Sequence, residues 1–128
     1  MSLTNPFETH TLKYLLTTGS VTRPTTWYIG LFTSDPTDTG VAGTEVSGFS
    51  YARTAVTFSV TADVASNTAG VEFPAASGGN WGTIGWIGVM DAASGGNMII
   101  HSALTTAKAI NAGDVFRIPT GDLDITAS

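Results

Sequence analysis

The sequence predicts an all-β chain: an antiparallel β-sandwich or jelly-roll-like domain of about eight short strands, preceded by one short N-terminal α-helix. Three observations carry that expectation. From Trp27 onward, apolar and polar residues alternate with a period of two. The alternating runs are broken by clusters of chain-reversing residues, such as "SDPTDTG", "TEVSGFS", "PAASGGNWG", "DAASGGN", "NAGD" and "PTGD". The chain also holds 21 Thr and 15 Gly, β-branched side chains for a pleated surface and glycines for its turns.

At 128 residues the chain is long enough for one core without staples. The expected division is a helical segment over 1–19 and a β-sandwich domain over 20–128, in one compact unit. The helix is read in "NPFETHTLKYLLTTG", with Asn5 as N-cap, Pro6 at the first helical position, Glu8 at the third, and Gly19 as the C′ residue. Its apolar residues form two patches, Leu3, Phe7 and Tyr14 on one side and Leu12, Leu15 and Leu16 round from it. So broad a face must lie on something, either one end of a sheet or a partner chain.

Strands are expected near 27–33, 52–60, 71–73, 83–91, 97–101, 108–110, 115–118 and 122–126, with "VMDAASGGNMII" as the clearest hairpin. The first of these, "TWYIGLFTSDPTDTG", is apolar on both faces. If Trp27, Ile29 and Leu31 face the core, Tyr28 and Phe32 point away from it. The helix or a neighbouring subunit is then needed to cover those two rings. Further on, Trp81 and Trp86 flank Ile84 in "NWGTIGWIGVM". With Gly82, Gly85 and Gly88 beside them, these rings suit either stacking on sugar rings at a receptor-binding tip or packing. The reading taken is that Trp86 fills the sandwich core, while Trp81, in a loop, is available to an interface. Phe7, Tyr14, Leu16, Tyr28, Phe32 and Trp81 are therefore the candidate interface residues.

Composition excludes several functions. The five basic residues Lys13, Arg23, Arg53, Lys108 and Arg117 are scattered in a chain of net charge −5, which is no footprint for nucleic acid. No apolar run approaches the roughly 20 residues needed to span a bilayer, and no basic, apolar leader opens the chain, so it reads as soluble. Cysteine is absent, which removes disulfides, thiolate metal sites and cysteine nucleophiles. Only 12% of residues are charged, so few repulsive charges keep other chains away, as suits a surface covered by neighbours.

Catalytic patterns are missing too. His10 falls in the helix and His101 at a strand end, and no G-x-S-x-G elbow or glycine-rich phosphate loop occurs. Asp35 and Asp38 share a loop, and Asp122 and Asp124 share a strand face, but neither pair has calcium-loop spacing. Asp35 before Pro36 reads as a turn-starting side chain. The expectation is a non-enzymatic protein with no metal and no cofactor.

Taken together, "YIGLFTSDPTDTG…GTEVSGFSYARTAVTF" and "NTAGVEFPAASGGNWGTIGWIGVMDAASGGNMIIHSALTTAKAINAGDVFRIPTGDLDI" resemble a widespread group of small tailed-phage and prophage virion proteins, often labelled tail-fibre or structural protein. The resemblance covers nearly the whole chain, and "LFTSDP…GTEVSG…YAR…VTF" is its most specific part. Phe49 stands where small residues are usual in that string. The resemblance implies a virion component assembled in the host bacterial cytoplasm. With one compact β domain and low-charge contacts that gain strength by repetition, the first expectation is a capsid decoration (cement) protein that binds the major capsid protein and stabilises the shell. The alternative is a small tail or tail-fibre-associated protein, or host-binding adhesin, with tail proteins as partners. Either way a closed homo-oligomer, trimer or dimer, is expected to form through the N-terminal helix.

Overall fold

The structure is a computed structural model that describes residues 2–127. Ten strands and one helix follow in the order β1 (Ser2–Leu3), α1 (Asn5–Leu16), β2 (Tyr28–Phe32), β3 (Thr54–Ala55), β4 (Phe58–Thr61), β5 (Val64–Asn67), β6 (Val71–Glu72), β7 (Gly82–Met90), β8 (Met98–Ile110), β9 (Arg117–Ile118) and β10 (Asp124–Thr126). They form three antiparallel sheets with orders β1-β8-β7-β2-β3, β10-β5-β4 and β6-β9. The chain is mostly β with one short helix, as its sequence predicts.

Several elements differ from expectation. The strands expected at 97–101 and 108–110 are one 13-residue strand, β8, and the run expected over 52–60 splits into β3 and β4. The split has a cause: Val56 donates its N–H to the Trp27 carbonyl, while Thr57 accepts from Thr68, so the chain changes partner sheet between them. β5 lies in "ADVASNTAG", which reads as turn chemistry. The turn before β5 is confined to Ala62 and Asp63, with Ala62 at φ 56°, and Thr61 pairs directly with Val64.

The core takes Ile29 and Leu31 from β2, Ile84, Ile87 and Val89 from β7, and Val71, Phe73, Phe116 and Leu123 from the smaller sheets and their connections. Ile84 and Ile87 are three residues apart, so strict alternation fails between them. From Ile84↔Lys108 to Trp86↔Ala103, β7 advances two residues while β8 covers five. This bulge switches the face that β7 presents to the core. It also turns Trp86 to the other side of the sheet, while Trp81, which precedes β7, is held in the core by its own bonds to Ile110 and Phe49. Trp86 leaves the main core and lies half-buried on the outer face of the sheet, whereas Trp81 is buried.

The outer face answers the question raised by Tyr28 and Phe32. Phe32, Met90 and Met98 form a second buried cluster there, flanked by half-buried Tyr28 and Trp86. Gly30 lies directly opposite Gly88 between them. A Cβ on Gly88 would sit 2.5 Å from Met98 Cε, and one on Gly30 would sit 3.2 Å from the Phe32 ring and 3.1 Å from Glu45 Oε2. The two glycines thus make a trough in the sheet that the chain's own side chains fill. Neither the helix nor another subunit is needed to cover Phe32.

The helix start is displaced by one residue. Thr4, not Asn5, is the N-cap, and its carbonyl accepts from the N–H groups of Phe7 and Glu8. Its hydroxyl makes no cap bond and instead donates to the Met98 carbonyl at 2.7 Å, while its N–H donates to Ile99. Thr4 is fully buried and fastens the root of α1 to β8. At the other end the helix stops at Leu16, and extended Thr17 returns its hydroxyl to Lys13 O, so Gly19 is not the closing residue.

These placements predict unequal costs for the two tryptophans. Trp81→Ala should cost about 3–5 kcal/mol, the usual range for a buried large aromatic, and Trp86→Ala clearly less. Urea midpoints of the two variants check the order.

Candidate functional site

Of the six candidate interface residues, three are committed to the chain's interior. Phe7 is the one buried residue of α1, Phe32 belongs to the outer-face cluster, and Trp81 is in the core. The Trp81 ring stands edge-on to Tyr51 at 5.3 Å and to Phe73 at 6.4 Å, and its Nε1–H donates to the Phe49 carbonyl at 2.9 Å. Tyr28 is half-buried. Tyr14 and Leu16 are on the surface.

These last two belong to a continuous feature. Leu12, Tyr14, Leu15 and Leu16 are 58, 72, 66 and 76% exposed. The expectation that this face lies on a sheet therefore fails beyond the first turns: α1 is rooted by Thr4 and Phe7, and its C-terminal half stands free of the sheets. Phe7, His10, Thr11 and Tyr14 follow i, i+3, i+4, i+7 spacing on one side, with Leu12 and Leu16 opposite. Beside the first side runs an open cavity of about 490 Å³, walled on its far side by Val21 and Pro24. It continues past His10 and Arg23 toward Asp91 and Asn97.

A second group of residues carries the strings that make the sequence recognisable. Tyr51 Oη accepts the Leu31 N–H at 3.0 Å and donates to Glu45 Oε2 at 2.6 Å. Arg53 donates to both Glu45 oxygens from Nε and Nη2, each at 2.8 Å, and from Nη1 to the carbonyls of Ala92 and Gly95. One network therefore ties the β2 edge, the loop before Tyr51 and the β7–β8 hairpin tip. Burial first, and then the bond to Glu45, pushes the Tyr51 hydroxyl well above the ordinary tyrosine range, and the Glu45 bond raises Arg53 further. Charge-assisted, bidentate and shielded, this is a structural clamp. No catalytic or binding pattern in the sequence marks Glu45 or Tyr51 as functional, and Arg53 reads only as scattered charge. The signal was present in "GTEVSG" and "YAR".

Phe49 has a local account as well. Gly48, Phe49 and Ser50 all lie at positive φ, and the Phe49 ring covers Gly79, where a Cβ would meet it at 2.5 Å. Asp35 accepts the Thr37 N–H at 2.9 Å, the turn-starting role its sequence predicts. Asp38 pairs with His101 at 2.9 Å. Among the described residues no group of three or more His, Asp or Glu side chains is arranged to hold a metal ion, and no helix is long and apolar enough to cross a membrane.

A β-rich chain whose most specific motif residues brace the fold, and whose largest unsupported feature is a protruding apolar helix, has the build of a structural component. Family comparison agrees. The model of the family described as podophage GP4 fiber I protein gp80 matches residues 2–126, and the chain belongs to that family. It is thus a phage fibre-type structural protein, a component of the virion. Among curated proteins nothing matches.

The clamp generates a pH prediction. The folded Tyr51 pKa is raised, so its contribution is complete below the unfolded value of about 10 and is lost as pH rises above it. Unfolding free energy should therefore fall from about pH 10 upward, and Tyr51→Phe should flatten that slope while costing about 1–3 kcal/mol at neutral pH. Denaturant titrations of both chains from pH 8 to 11 check it.

Proposed function

We propose that the chain is a small, non-enzymatic tail-fibre component that docks on other virion proteins through the exposed half of α1. The observation that carries this reading is the placement of four large apolar side chains, Leu12, Tyr14, Leu15 and Leu16, on a helix that the β domain does not cover. A twelve-residue helix is marginal in water without tertiary packing, so this one gains most from a partner. The family match is to a fibre protein, which supports the tail-fibre alternative. Capsid decoration, expected from chain size, draws no support from that match, and the tail-fibre reading takes its place.

The rest of the proposal concerns organisation. Residues 1–19 act as the attachment segment and 20–128 as the β domain. The domain is sandwich-like, since the five-stranded sheet and the smaller sheets share one core. A dimer or trimer remains part of the reading, because edges and helix are poor in charge.

Removing residues 1–19 would also strip β1 and Thr4 from β8, so surface substitution is the cleaner test. Leu12→Ser with Leu16→Ser should leave the melting temperature near wild type and weaken binding to phage particles that lack this protein. Co-sedimentation with such particles measures it. Undiminished binding would remove α1 from the attachment surface.

A further inference from the structure

The cavity beside α1 combines apolar walls with polar groups that have no partner. His10 packs edge-on against Phe7 at 4.9 Å, and its Nδ1 is shielded from solvent with no hydrogen-bond partner among the described residues. Arg23 lies at the mouth, shared by the cavity of about 490 Å³ and its extension of about 240 Å³. Of the three arginines, Arg53 and Arg117 are paired with Glu45 and Glu72, and Arg23 is paired with nothing described. The one carboxylate bordering the extension, Asp91, accepts the Asn97 N–H at 2.7 Å. A guanidinium in a chain of net charge −5, left unpaired beside an unsatisfied imidazole, is complementary to an external anion.

We propose that this cavity takes a segment of another virion protein in which an apolar side chain is flanked by a carboxylate. The apolar side chain enters between Phe7, Tyr14, Val21 and Pro24, and the carboxylate pairs with Arg23 beside His10. The inference rests on the attachment reading above and deepens it. A protein segment fits better than a small anion, because the apolar wall of the cavity runs along α1 through Tyr14 and Leu15, both mostly exposed. Small-ligand sites enclose most of their ligand's surface, whereas this wall is open to solvent along Tyr14 and Leu15.

The test uses the full chain and phage particles assembled without it. Arg23→Glu, Arg23→Lys and a control of equal charge change, Lys108→Glu, are compared with wild type by co-sedimentation and by light scattering of the chain alone. Arg23 makes no internal bond, so the variants should fold, and thermal melting verifies that they do. The expected result is binding on the order of tenfold weaker for Arg23→Glu, partly kept by Arg23→Lys and unchanged for Lys108→Glu. Wild-type binding should also fall with added salt more steeply than that of Arg23→Glu.

Equal binding by Arg23→Glu and wild type overturns the inference and leaves the attachment reading standing. Failure of wild type itself to bind the particles overturns the attachment reading instead. If wild type self-associates without particles and Arg23→Glu abolishes that association, the occupant is a second copy, which overturns the assignment to another protein.

Discussion

The bulge between β7 and β8 is the constraint on which the rest of the structure depends. β7 is central, and its two halves present opposite parities to the core. Ile84 faces inward before the bulge, and Ile87 and Val89 after it. The change of parity sends Trp86, Gly88 and Met90 to the outer face, where Gly88 meets Gly30 and the paired glycines admit Phe32 and Met98. A sheet of this size thereby buries apolar side chains on both faces with material from its own chain. Close packing on both sides is what lets a 128-residue, cysteine-free domain hold its strands.

The polar clamp and the root of the helix are set on that double-faced sheet. Glu45 lies against Gly30, where any larger residue would displace its carboxylate, and from there it fixes Tyr51 and Arg53. Arg53 in turn holds the hairpin tip that follows Met90. On the far side of β7, Thr4 uses its hydroxyl on β8 instead of on its own helix. The start of α1 is consequently fixed while its end is not. Of the large apolar side chains left exposed after both faces are filled, Leu12, Tyr14, Leu15 and Leu16 share one element, while Val41, Phe49 and Val60 lie apart from it.

Much of this was legible in the sequence. Period-two alternation and turn chemistry located the principal strands, the hairpin closed by Asp91 and Asn97, and the Asp35 turn. What alternation cannot register is an inserted residue. Trp86 changes sides at a bulge that adds no residue type to mark it, only Gly85 among other glycines, and Trp81, which precedes β7, is buried by long-range packing. "LTTA" within β8 lacks alternation, so the pattern reads as two strands where the structure has one. β5 is Val64, Ala65, Ser66 and Asn67, of which only Val64 favours a strand, and it is held in a sheet by register with Phe58–Thr61 and Asp124–Thr126. The candidate site was half legible. Exposed Tyr14 and Leu16 were singled out, but burial of Phe7, Phe32 and Trp81 follows from long-range packing that no local pattern encodes. The clamp escaped because its three residues bond across loops, although the strings containing them were the most distinctive in the chain.

On the proposed reading the β domain is self-sufficient and α1 is the element awaiting a partner. Amide hydrogen exchange across α1 and β7, in the free chain and in assembled virions, tests that most directly. In the free chain, amides of the C-terminal half of α1 should exchange far faster than those of β7, and in the virion they should become protected while β7 changes little. Protection of α1 equal to that of β7 in the free chain, or no gain on assembly, would contradict it.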